Sequence, residues 1–191
     1  MRVLLWHVHG SYTTAFVQGR HTVLLPVTAG RGPDGRGRAR TWDWPATAVE
    51  VTPEQCADAE IDVVVLQRPE ELHGLAEQWM GGRRPGRDVP AVYLEHNAPQ
   101  GRINDLRHPA ADRDDLTVVH VTHCNDLLWD CGTTSTTVIE HGVVDPATAT
   151  PASWHGRPSP STSPSAAPGS PARTCSGGSP RPGPSTCSAC G

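Results

Sequence analysis

Up to about residue 146, apolar residues fall in short runs, each closed by glycine, proline or a polar cluster. Val3-Leu4-Leu5-Trp6, within Arg2 to Val8, shows little alternation, the pattern of a strand buried on both faces of a parallel sheet. His21 to Val27 forms a second run and Val49 to Val51 a short third. Ile61 to Leu66, with Val63-Val64-Val65 at its centre, is the cleanest buried strand. Pro90 to Glu95, Leu116 to Val121 and Thr136 to Ile139 complete six or seven strands.

The intervening segments carry helical signals. A short helix is expected from Thr14 to Gly19, capped by Ser11 or Thr13. Thr52, Pro53 and Gln55 have the spacing of a capped helix start. Pro69-Glu70-Glu71 opens another with acids in its first turn, followed by Leu72, Leu75, Ala76 and Trp79 at helical spacing. Asn125 begins a helix carrying Leu127, Leu128 and Cys131. The glycines between Gly30 and Arg38 predict a mobile loop; they lack the order of a phosphate-binding P-loop. Trp42-Asp43-Trp44-Pro45 is expected to pack over a sheet edge. Strands alternating with helix-length segments predict an α/β fold, a doubly wound, Rossmann-like parallel sheet over residues 1–146.

Composition changes the picture after Asp145. Residues 147–191 contain no Val, Ile, Leu, Met, Phe or Tyr, and Trp154 is their one large apolar side chain. Such a segment cannot bury enough apolar area to offset its ordering entropy, so a disordered Pro/Ser/Gly-rich tail is expected. The chain has no lysine, and the Pro, Ser, Gly, Ala, Arg and Cys of the tail are what a shifted frame in GC-rich DNA encodes. The tail is accordingly read as a frameshift product, against the plainer alternative of a genuine linker. Every acid lies at or before Asp145 and the net charge is −4, which argues against a nucleic-acid partner. Cys187 and Cys190 form a single CxxC without a partner pair, a weak metal signal. No run approaches transmembrane length and no signal-peptide core is present, so a cytoplasmic protein with reduced thiols is expected.

Ligands of open parallel sheets bind outside the carboxyl ends of the strands. Those exits hold His9, Gly10 and Ser11; Gln67 and Arg68; Glu95, His96 and Asn97; His123 and Asn125; and Glu140 and His141. Histidines at four exits exceed what turn chemistry requires. A cleft lined by His9, His96, His123 and Arg68 would suit hydroxyl-rich or anionic groups. His7 and His9, two apart on a strand, would share a face and present two metal ligands, which opens a metal-dependent hydrolase reading together with His120 and His123. No carboxylate follows at a telling spacing, and neither a metal nor a cofactor is assigned.

Strand one running into Gly10-Ser11, then exits at Glu95-His96-Asn97, Thr122-His123 and Glu140-His141-Gly142-Val143-Val144-Asp145, resemble a known family. Residues 1–146 are similar to the amino-terminal Rossmann-like domain of GT-B glycosyltransferases of the family 4 type. The family's last strand ends in Pro-Asn-Gly-Val/Ile-Asp; here the first two residues differ and one valine is inserted. The resemblance implies an acceptor-binding domain for a sugar or glycan acceptor, with His96 as the counterpart of a catalytic histidine facing the donor sugar. Gly10, Ser11, Arg68, Asn97 and His123 are the candidate substrate-binding residues. The family holds its nucleotide-sugar donor in a second domain through a Gly-Arg…Lys-Gly segment and a Glu-x₇-Glu motif, and neither occurs in this chain. The resemblance therefore implies a truncated enzyme, inactive alone. Rival readings are a non-catalytic flavodoxin-like binding module, the metal hydrolase through His7 and His9, and another GT-B sugar enzyme such as an epimerase.

Overall fold

The structure is a computed structural model and describes residues 1–102 and 105–142. The expectations for residues 143–191 lie outside the described residues. Seven parallel strands form one sheet in the order β3-β2-β1-β4-β5-β6-β7. They are β1 (Arg2–Leu5), β2 (Thr22–Pro26), β3 (Ala48–Val51), β4 (Val63–Leu66), β5 (Ala91–Glu95), β6 (Thr117–His120) and β7 (Ser135–Val138). The helices are α1 (Gly10–Phe16), α2 (Pro53–Asp58), α3 (Ala76–Trp79) and α4 (His123–Leu128). This is the expected Rossmann-like α/β fold, with each strand within a few residues of its predicted run.

The two faces follow from the period of a strand, in which successive side chains point oppositely. Leu4, Trp6, Leu24, Val64, Leu66, Tyr93 and Val118 pack on one face with Cys56, Ala76, Trp79 and Met80. Val3, Leu5, Val23, Leu25, Val65, Leu94 and Val119 pack on the other with Val17 and Trp44, and Tyr12 and Phe16 of α1 join them. Topology dictates this division. Strand–helix–strand connections are right-handed, and α1 steps from β1 to β2 in one direction across the sheet. The links from β3 to β4 and onward step in the other, so their helices fall on the opposite face.

Local capping follows the sequence for α2: the Thr52 side chain accepts from the Gln55 N–H, and the Gln55 side chain answers to the Thr52 N–H. It does not for α1, which starts four residues earlier than expected. Its cap is His9, without a side-chain bond, while the Thr13 hydroxyl donates to the His9 carbonyl at 2.9 Å. The helix expected from Pro69 is broken. Glu71–Leu75 forms a wide turn in which Gly74 takes φ +126°, and regular helix resumes only at α3.

The glycine-rich stretch after β2 is a strap with fixed anchors, in place of the mobile loop its glycines predict. Val27 bridges to Arg36, and the Arg31 guanidinium forks onto the Glu50 carboxylate at 2.8 and 3.0 Å. Glu50 also accepts from the Arg38 N–H at 2.8 Å, and the Arg38 guanidinium donates to the carbonyls of Trp44, Pro45 and Ala48. Gly37, at φ +67°, lies so close to the Glu50 carboxylate that a β-carbon would overlap it. At the far end Trp44 is buried beneath α1, its indole N–H donating to the Thr14 hydroxyl at 3.0 Å, whereas Trp42 is exposed.

The Arg31 bond holds the Glu50 carboxyl below its ordinary range. Replacing Glu50 by alanine removes the shared acceptor of two strap arginines. Tryptic cleavage between residues 31 and 40 should then accelerate several-fold, to about tenfold. An unchanged cleavage rate in the folded variant would show that Glu50 does not hold the strap.

Candidate functional site

The order of strands reverses between β1 and β4, and open parallel sheets form their ligand crevice outside the carboxyl ends at such a point. Its chemistry starts from Glu71, buried in the wide turn after β4. One carboxylate oxygen accepts from the Gln67 N–H at 2.7 Å and the other from Arg68 Nε at 2.7 Å. Burial pushes the Glu71 carboxyl up, even with the Arg68 guanidinium beside it. Arg68 also donates to Asp34 of the strap at 3.0 Å, and the Asp34 carbonyl accepts from Trp6 Nε1 at 3.1 Å.

Gln67, 2 % exposed, aims its side chain back across the crevice. Its amide nitrogen donates to the Trp6 carbonyl at 2.8 Å, which leaves Oε1 to face His96 Nε2 at 3.2 Å. A backbone carbonyl only accepts, so the orientation of the amide is determined, and His96 Nε2 must carry the proton. His96 Nδ1 is then the unprotonated nitrogen, an acceptor for a hydroxyl. The ring is packed between His9, with centroids 4.2 Å apart, and the edge of Tyr12 at 4.7 Å. Tyr12 also meets His141 at 6.1 Å. Burial, with the neighbouring His9 and His141, lowers the His96 imidazole to about 4. Burial lowers His9 as well, against the raising influence of Glu95.

The loop that carries His96 is itself pinned. The Glu95 carboxylate, buried, accepts from the Asn97 N–H at 2.6 Å and faces His108 Nε2 at 3.1 Å. His108 Nδ1 accepts from the Ala110 N–H at 3.0 Å, so Nε2 is the protonated nitrogen and donates to Glu95. The Asn97 carbonyl accepts from Trp129 Nε1 at 2.8 Å.

The candidate residues thus separate. His96 lies at the centre of the cluster with His9. Gly10 and Ser11 are exposed on the first turn of α1, next to His9. Arg68 borders the crevice, but two carboxylates already neutralise it. Asn97 is exposed and held by its backbone. His123 is exposed on the first turn of α4 and makes no side-chain hydrogen bond among the described residues. The pairing of His7 with His9 on a strand face does not occur, because β1 ends at Leu5. His7 Nδ1 instead donates to the Gly37 carbonyl at 3.0 Å, its ring 4.9 Å from Trp44. His120 is buried beside Cys131 and Asp126, away from the exposed His123. Among the described residues no cluster of histidine, cysteine or acid is arranged to hold a metal ion. Sequence reasoning passed over Gln67 as the orienter of His96 and Tyr12 as its edge contact. The signal for Gln67 was a polar residue directly after a buried apolar run.

A neutral, half-buried histidine has a pH signature. The folded-state value of His96 lies below the ordinary 6.5, so between pH 6.5 and about 4 the unfolded chain binds the extra proton. The corresponding stability is present above pH 6.5 and is lost as pH falls toward 4. In His96→Gln the urea midpoint should fall less steeply across that window, and NMR should place the His96 titration in the wild type near 4. Titration at 6.5 or above would contradict the burial argument.

No family model matches the chain, and no curated protein or solved structure matches it either.

Proposed function

We propose that residues 1–146 are the acceptor-side domain of a GT-B glycosyltransferase of the family 4 type. The observation that carries this reading is the fixed tautomer of His96 at the strand-order reversal. A neutral ring with an unprotonated Nδ1, packed against His9 and Tyr12, suits a sugar hydroxyl as hydrogen-bond donor. Burial lowers the His96 imidazole, which keeps the ring neutral and its Nδ1 free to accept. Its role is to orient a hydroxyl and accept its hydrogen bond. Arg68 pairs with Asp34 and Glu71 through Nη1 and Nε, while its Nη2 has no partner among the described residues and can donate to a hydroxyl. Groups for the donor diphosphate, which needs cations or helix-end amides for the departing charge, belong to a second domain in this reading.

In a two-domain enzyme that includes this domain, His96→Ala should lower the transfer rate by about two orders of magnitude, with a smaller change in acceptor affinity. Gln67→Leu, which frees the ring without removing it, should cost about tenfold. An unchanged rate in His96→Ala would remove His96 from the site. The present chain alone should bind a nucleotide-sugar no tighter than millimolar, and micromolar binding by calorimetry would contradict the division of labour.

A further inference from the structure

The handedness that divides the helices leaves one part of the molecule open. On the α1 face, among the described residues, the core outside the strands comes from α1 with Val17, from Ala39 and Trp44 of the strap, and from Val121 after β6. Over β4 to β6 the same face is the floor of a trough of about 760 Å³, formed by Val65, Val92, Leu94 and Val119. Phe16 and Ala15 of α1 make one wall, and Ile139, 60 % exposed, stands on the other. That volume lies within the range of small-molecule sites, roughly 300–1,000 Å³. The floor carries no charge and no polar side chain.

The polar groups of the trough are confined to its rim. Tyr12 and His141 stand there, with Gln18 and a single acid, Glu140. Tyr12 belongs to both places: it lines the trough and its edge meets the His96 ring at 4.7 Å. Its hydroxyl has no hydrogen-bond partner among the described residues, and burial raises it to about 12, so it keeps its proton. The trough therefore runs from an uncharged aliphatic floor to the hydroxyl-accepting ring of the crevice. Among the described residues no lysine or arginine lines it and the one carboxylate is Glu140, which disfavours an anionic head group.

We propose that the trough binds a neutral single-chain amphiphile, its alkyl chain along Val65, Val92, Leu94 and Val119 and its hydroxylated head group at Tyr12 and His96. The binding stands on the trough itself. The role of such a molecule as the sugar acceptor rests on the glycosyl-transfer reading above and narrows it to a hydroxyl borne on an aliphatic chain.

The test is calorimetric titration of the whole chain with octyl, nonyl and decyl β-glucosides, each below its micelle concentration. One molecule per chain should bind, tightening about two- to fourfold per added methylene as apolar surface leaves water. Decyl sulfate should bind at least tenfold more weakly than decyl glucoside. Ile139→Asp, at an exposed position, and Val92→Asp should each abolish the chain-length dependence, with circular dichroism confirming that the variants fold. Tyr12→Phe should weaken binding while keeping that dependence. Absence of binding below the micelle concentration, or affinity untouched by both aspartate variants, would overturn the proposal. So would a dimer in sedimentation that the same variants dissociate, since a second copy would then occupy the trough. Binding is read without any sugar donor, so it can fail while sugar transfer holds, and the reverse.

Discussion

A single carboxylate, that of Glu71, is the constraint on which the crevice depends. It is fully buried and satisfied by one backbone N–H and one guanidinium. Removing one member of such a pair leaves an uncompensated charge, at a cost of about 3–5 kcal/mol where both are well buried. Arg68 retains some exposure, which places this pair toward the lower end. From Glu71 two lines of bonds diverge. One passes through Gln67 to the carbonyl after β1 and to the histidine after β5. The other passes through Arg68 to Asp34, and so to the strap between β2 and β3. Three strand exits and a loop far away in sequence are thereby referred to one point.

The strap and the crevice are consequently one construction. Trp6 illustrates it: its carbonyl receives Gln67, its indole nitrogen holds Asp34, and its ring packs edge-on against Trp79 at 6.3 Å. Core packing, loop anchoring and side-chain orientation meet in one residue. The opposite half of the sheet is built more loosely. Its α1 face lacks a covering helix among the described residues, and its last strand, β7, has exposed hydroxyl side chains in place of a buried row.

The strands were legible because buried parallel strands write themselves as short apolar runs, and Val63-Val64-Val65 needed no partner to be recognised. The capped start at Thr52 was legible for the same reason, all of its bonds lying within four residues. What failed depends on distance along the chain. Glycines between Gly30 and Arg38 suggest mobility only while Glu50, at the edge of another strand, stays out of view. Glu71 looks like a first-turn acid, but its partners make it a buried anchor, and Gly74 stops the helix that the leucine spacing promised. His7 and His9 share a face only on a strand that runs past Leu5. His96 was readable from its place after a strand. Its tautomer was not, because that depends on Gln67 and on the carbonyl of Trp6, whose positions three-dimensional packing alone supplies.

The outer border of β7 has a consequence for how copies of this molecule meet in concentrated solution. Among the described residues β7 pairs only with β6, so the backbone donors and acceptors on its other side have no strand beside them. An unmatched border of that kind is a template for intermolecular zippering and fibril growth. Here it is four residues long, and it presents Ser135, Thr136 and Thr137 before its single valine. Brevity and hydroxyl side chains make a poor seed, since water competes well for such a border and few apolar contacts reward its coverage.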